Sequence, residues 1–325
     1  MLRTRALVLF SSSGKALLHP VNRSHLRPSP FHKSHSCLGK ISSMSSSANS
    51  SSVVLPMSND QREEVGLLDA VDDVHGGVIV ELKGSMDCKT FVSSLRASLS
   101  HWRQQGIRGV WIKLPIELSH LVQPAVQEGF CYHHAEPTYL MLVYWIPASE
   151  NTLPINATHR VGIGAFVMNE KREVLVVQEK CGILRGSGIW KFPTGVLEQQ
   201  GEDIFAGAIR EVKEETGIDT DFLEVLAFRQ NHGAFFGKSD LFFVCMLRPR
   251  SSEIHKQESE IEAAAWMPIE EFAAQPFVKK HELLKYILDL GLAKADRNYS
   301  GFTPLSISSA FSEKLSFLYL NSRGL

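Results

Sequence analysis

Between Arg210 and Ile218 the chain reads REVKEETGI, with Glu211, Glu214 and Glu215 inside five positions and a Thr-Gly pair behind them. Like charges one helical turn apart destabilise a helix by a few tenths of a kcal/mol unless a cation lies among them. At about 3.6 residues per turn, Glu211 and Glu215 fall on one side and Glu214 flanks them, so the three carboxylates can converge on one point. Such a set suits a hard cation such as Mg²⁺, which takes oxygen ligands and keeps waters, leaving room for phosphate oxygens. The competing reading is a solvated helix face, the usual state of a charge run.

The flanking residues favour the first reading. Ile204, Phe205, Ala208, Ile209 and Val212 draw an apolar stripe at helical spacing, so the predicted helix buries one face and presents carboxylates from another. Gly217 is the expected stop, since a C-terminal cap often needs a positive φ. Upstream, WKFPTGVLEQQGE reads as an extended stretch, a Pro-Thr-Gly turn and a loop feeding the helix. Gly195 at that turn lets the backbone approach a ligand, so its carbonyl can join a metal shell.

Taken together, Gly195 to Ile218 resembles the Nudix box, G-x5-E-x7-R-E-U-x-E-E-x-G-U with U aliphatic. Glu202, Arg210, Glu211, Val212, Glu214, Glu215, Gly217 and Ile218 match it in type and spacing. One departure is present: six residues rather than five separate Gly195 from Glu202. The resemblance implies that Glu211, Glu214 and Glu215, with the Gly195 carbonyl, hold Mg²⁺ or Mn²⁺. It also makes Glu211 the candidate base that activates water, and pairs Glu202 with Arg210 as an ion pair tying loop to helix.

At 325 residues the chain is long enough for two domains, and 44% hydrophobic content supports real cores. No apolar run approaches the roughly 20 residues of a membrane span. The net charge of −1 conceals an asymmetry. Residues 1–58 are serine-rich, carry seven Lys or Arg and hold no acid. That composition predicts a transit peptide for a chloroplast or mitochondrion, with a disordered basic tail of a cytosolic protein as the alternative. The remainder holds 27 basic against 35 acidic residues, which argues against a general nucleic-acid-binding surface. The five cysteines are scattered without a C-x-x-C pair, so neither a zinc site nor a disulfide framework is expected.

Residues 60–147 read as a first α/β domain: strand GGVIVELKG, an amphipathic helix from Asp87 to Gly106, strand GVWIKLP, a helix interrupted near Pro124, and strand TYLMLVYWI. The order resembles part of an acetyltransferase-like fold and the extra domain that precedes the Nudix domain in a plant and animal subgroup. RQQGIRG is not read as a phosphate loop, because phosphates need a helix N-terminus and this loop closes a helix. His133 and His134, adjacent in an extended segment, are expected on opposite faces and not on a shared metal.

Residues 148–158 form the predicted linker, 159–290 the catalytic domain and 291–325 a C-terminal tail. RVGIGAFVMNEKREVLVVQEK reads as a hairpin, FLEVLAFRQNH and SDLFFVCMLRP as strands, and EIEAAAWMPIEEFAAQPFV as a last strand and helix. The mixture fits the α/β/α sandwich that the resemblance implies.

The activity implied is metal-dependent hydrolysis of a pyrophosphate bond, turning a nucleoside diphosphate linked to a moiety X into a nucleoside monophosphate and phospho-X. WKFPTG, EDI and REVKEETGI are especially similar to plant members of the ADP-ribose and NADH pyrophosphatase subgroup. Neither an S-Q-P-W-P-F-P signature nor a coenzyme A box is present, which leaves ADP-ribose and NADH leading and coenzyme A derivatives open. RQNHGAFFGKSD could line the pocket for X, with Phe235 and Phe236 stacking on a base and Arg229 or Lys238 near phosphate; ordinary strand and turn packing is the alternative. The partner expected is a small nucleotide, with no nucleic acid, no membrane, and a homodimer admitted. A non-catalytic nucleotide sensor or scaffold is the second hypothesis, disfavoured because every carboxylate of the box is present.

Overall fold

The computed structural model describes residues 66–197, 201–233, 235–309 and 312–321; the leader at 1–58 lies outside them. The described chain forms two compact units that part between Asn156 and Ala157.

The first unit runs β1 (Ala70–Asp72), β2 (Val78–Glu81), α1 (Cys88–Gln104), β3 (Gly109–Pro115), α2 (Val122–Gln127), β4 (Cys131–Glu136) and β5 (Tyr139–Trp145). Its sheet has the order β1-β2-β3-β5-β4, and of its pairings β2 with β3 is parallel and the others antiparallel. α1 starts where Asp87 accepts hydrogen bonds from the Lys89 and Thr90 backbone N–H groups at 2.9 and 3.1 Å, a side-chain N-cap. Its Phe91, Leu95, Leu99 and Trp102 stripe packs on Val80, Val110, Ile112 and Leu142.

Pro124 does not interrupt a helix. It sits in the first turn of α2, where its missing N–H would have had no intrahelical partner, and the irregular backbone lies earlier, at Leu118 in a 3-10 turn. His133 and His134 also depart from expectation. A register shift against β5 between Tyr132 and His134 breaks the alternation of β4. The two rings therefore meet, Nδ1 to Nδ1 at 2.6 Å, and His133 Nε2 donates to the Pro154 carbonyl at 2.9 Å.

The second unit begins with β6 (His159–Val167) and β7 (Glu173–Glu179), followed by β8 (Thr194–Val196), α3 (Ile204–Thr216), β9 (Thr220–Asn231), β10 (Ser239–Pro249) and β11 (Ile261–Pro268). It closes with α4 (Ile269–Ala274), α5 (Pro276–Lys280), α6 (Glu282–Ala295), β12 (Thr303–Ser309) and β13 (Ser312–Leu320). One sheet runs β8-β6-β10-β9, with β6 and β10 parallel; β7 pairs with β11.

The expected hairpin of β6 and β7 is thus only a turn. The two strands share the single bridge Met168 to Val174 and then diverge into different sheets, because each has a longer partner from far along the chain. Alternation sorts the strand residues to two faces. Phe166, Val176, Phe242 and Val244 pack toward Phe272, Leu284, Ile287 and Leu288, while Ile163, Ala165, Leu175 and Cys245 pack toward Ala208 and Val212 of α3. The result is a sandwich with α3 on one side and α4 to α6 on the other.

The residues expected as a tail carry the end of α6 and the hairpin of β12 with β13. Buried Glu224 on β9 accepts hydrogen bonds from Lys294 Nζ at 2.7 Å and the Gly301 N–H at 2.8 Å, and Phe302 bridges Val225. A Cβ at Gly301 would overlap the Val225 carbonyl oxygen. Phe317 stacks edge-on against Phe205 in the first turn of α3, with ring centroids 4.9 Å apart.

Candidate active site

α3 is built to bring charge inward. Asp203 stands at its N-cap position and Gly217 ends it in the left-handed conformation at φ 74°, with the Gly217 N–H donating to the Lys213 carbonyl. The inward residues include Glu211 and Glu215 beside Ala208 and Val212, so the carboxylates are not on a separate face as the apolar stripe predicts. Glu211 is wholly buried. The reason lies on β8. Gly195 pairs with Ile163, and a Cβ on Gly195 would fall inside the Glu211 carboxylate. The glycine is required for space and not for a positive φ, which it does not have.

Burying a carboxylate costs several kcal/mol unless it is paired. Arg210 supplies the pairing. Its Nε and one terminal nitrogen donate to the two oxygens of Glu202 at 2.6 and 3.1 Å, a bidentate fork. That same terminal nitrogen also donates to the Val196 carbonyl at 3.0 Å, and the other one donates to Glu211 at 2.8 Å and Glu214 at 3.2 Å. The Glu202 hydrogen bonds, outweighing the opposing desolvation and assisted by the charge of Glu211, push the guanidinium pKa above its already high range. One arginine therefore ties the loop before α3, the strand β8 and two carboxylates of the helix into a single unit.

Arg210 draws Glu211 and Glu214 to itself, and among the described residues no three Asp, Glu, His or Cys side chains are gathered closely enough to share a metal in this arrangement. The donor chemistry still fits a hard divalent cation: Glu211, Glu214 and Glu215 offer anionic oxygens on adjacent turns, and the bare Gly195 backbone stands against Glu211.

The residues expected around X are placed as follows. Arg229 lies opposite Phe242 in the β9 and β10 ladder and so points to the α6 side, away from α3. Lys238 Nζ donates to the Ala157 carbonyl at 2.6 Å. Phe236 has φ 53° and is 88% exposed; the Phe235 side chain lies outside the described residues. Asp240 at the end of that stretch is buried, and desolvation raises its carboxyl pKa against the lowering charges of Arg160, Arg229 and His159.

Sequence reasoning also missed the buried charge of Lys191. Lys191, within WKFPTG, is 2% exposed; its ammonium contacts Glu179 at 2.8 Å and donates to Thr194 Oγ1 at 2.7 Å. A lone lysine between Trp190 and Phe192 is the signal that could have found it.

Gly195→Ala is expected to lower turnover at least tenfold, because the added methyl must displace the end of Glu211 and break its 2.8 Å bond to Arg210. Stability should fall by no more than about 1–3 kcal/mol, the usual range for overpacking, since a flexible side chain yields before backbone does. Steady-state kinetics beside thermal unfolding checks the split; equal turnover in the variant would show that Glu211 need not sit there.

Comparison with known proteins agrees with this architecture. A profile described as NUDIX domain matches residues 158–287, and one described as Nudix hydrolase domain matches residues 68–146, on either side of the boundary between the units. Nudix hydrolase 2 of Arabidopsis thaliana is 59% identical over 276 residues, covering 85% of this chain and 98% of that one. Nudix hydrolase 10 of the same plant is 58% identical over 257 residues, covering 79% and 91%. The mouse protein named nucleoside diphosphate-linked moiety X motif 6 is 38% identical over 238 residues, covering 69% and 74%. With the box residues on β8, α3 and the loop between them, and plant relatives matched along nearly their whole length, the chain belongs to the Nudix hydrolase family.

Proposed function

We propose that the bond cleaved is the pyrophosphate of a nucleoside diphosphate derivative, NDP-X, giving a nucleoside monophosphate and phospho-X. ADP-ribose or NADH are the leading substrates, with coenzyme A derivatives admitted. The observation that carries the reading is the Arg210 unit, which holds Glu214 and also Glu211, the latter against the Gly195 backbone. Similarity of WKFPTG and REVKEETGI to plant ADP-ribose and NADH pyrophosphatases supports the substrate class, as does the name of the mouse relative, nucleoside diphosphate-linked moiety X motif 6.

Hydrolases of this family need divalent cations. Glu211, Glu214 and Glu215 are the residues that would hold such a cation, Mg²⁺ or Mn²⁺, and when bound it would supply charge neutralisation at the phosphate oxygens and a more acidic water. Glu211 is the residue we assign to accept the proton of the attacking water. Its burial excludes bulk solvent, and Arg210 fixes the carboxylate orientation. Glu202 acts one step removed, by anchoring Arg210.

Incubating the full chain with ADP-ribose, NADH, coenzyme A and diadenosine polyphosphates, each with Mg²⁺ or Mn²⁺, tests the reading by chromatography of the products. AMP with ribose 5-phosphate or with the reduced nicotinamide mononucleotide is expected, and a chelator should abolish it. No monophosphate from any of the four, or full turnover in chelator, would overturn the reading.

A further inference from the structure

Lys191 stands where two sheets touch. Through its backbone it exchanges both hydrogen bonds with Val177, at 2.9 and 3.0 Å, the bridge that joins β7 to the segment leading into β8. Through its side chain it joins the same two partners again, contacting Glu179 at the end of β7 and donating to Thr194 at the start of β8. Thr194 is followed directly by Gly195, whose backbone lies against the Glu211 carboxylate.

A buried ion pair is a weak way to gain stability, since well-packed apolar residues of similar volume often do as well or better. Its distinctive property is direction. The ammonium offers three donors from one point, and here two of them go to fixed acceptors on different strands, while Lys191 and Glu179 are 2% and 10% exposed. One Glu179 oxygen takes the Lys191 contact, and the other is buried without a hydrogen-bond partner among the described residues, so among them Lys191 is the group that orients the carboxylate.

We infer that Lys191 is a positioning residue for the hydrolysis. By bridging Glu179 and Thr194 it fixes β8 against β7, and so holds the Gly195 backbone at the spot where Glu211 must lie. The inference rests on the catalytic reading of Glu211, but the bridging itself does not.

The test uses the full chain and four variants: Thr194→Val, which keeps shape and loses the hydroxyl; Thr194→Ser, which keeps the hydroxyl; Lys191→Met; and Glu179→Gln. Two readouts are taken, steady-state kinetics with a Mn²⁺ titration, and hydrogen exchange of the β8 amides. Thr194→Val and Lys191→Met should lower kcat by about tenfold with KM within twofold, raise the Mn²⁺ needed for half activity, and speed exchange in β8 while α1 and α6 keep their protection. Thr194→Ser should match the parent, and Glu179→Gln should fall between. Should Lys191→Met not fold, the valine and serine pair decides. Wild-type kcat and unaltered β8 exchange in a folded Thr194→Val would overturn the inference, as would equal losses in valine and serine variants. If the parent chain shows no turnover, the catalytic reading fails, and the exchange data still decide whether Lys191 fixes β8.

Discussion

Glu211→Gln is expected to lower turnover by about a hundredfold or more, the size of effect seen when a general base or a major electrostatic contributor is removed. Glutamine is nearly isosteric and has similar helix propensity, so α3 should persist. Its carbonyl oxygen can still accept from Arg210, which keeps the 2.8 Å contact in outline while deleting the charge. Loss of activity with a thermal midpoint within a few degrees of the parent is the expected pattern. Glu215→Gln, on the same inward face one turn on, should act in the same direction and raise the metal concentration needed for half-maximal rate. A solvated helix face predicts the opposite, since relieving like-charge repulsion leaves a bare helix unchanged or slightly more stable. Undiminished kcat in both variants, with unchanged metal dependence, would remove α3 from the reaction.

Arg210→Met should have the largest effect on the fold. The guanidinium serves Glu202, Val196, Glu211 and Glu214 together, and three of these carboxylates are at most 35% exposed at the side chain. Removing one partner of a buried charge network leaves the others uncompensated, at a cost of roughly 3–5 kcal/mol. For a domain of this size that lowers the midpoint of thermal unfolding by on the order of 10 °C. Arg210→Lys should recover part of it, because an ammonium keeps the charge but cannot reach the fork of Glu202 and the helix carboxylates at once. Differential scanning calorimetry of the three proteins decides; a methionine variant as stable as the parent would mean that the carboxylates are already satisfied elsewhere.

The legible part of this molecule is the part encoded locally. The register of Glu211, Glu214 and Glu215 follows from helical geometry within thirteen residues, and so does the stop at Gly217. What the local pattern could not show is that Glu211 faces inward, because that depends on a glycine from another strand lying against it. The turn after β6 is local and visible, yet its strands separate because β10 and β11, about eighty residues on, compete successfully for their edges. His133 and His134 share a face through a bulge that no alternation rule anticipates. Lys238, a candidate phosphate contact by type, is committed to a carbonyl at the start of its own domain. Helix α6 had its signal in plain view: Leu284, Ile287, Leu288 and Gly291 recur at helical spacing, and all four are buried.

The last strands also change where the hydrolase ends. The NUDIX profile stops at 287, but Gly301 can be only glycine in its place against β9, and Phe317 covers the first turn of the helix that carries the carboxylates. A fragment cut after α6 would strip the Phe317 ring from Phe205 and leave Glu224 holding one cation instead of a cation and an amide. The hydrolase unit therefore extends past α6 to include the hairpin of β12 and β13, and a fusion partner attached before that hairpin would be competing with the protein's own chain for the surface beneath it.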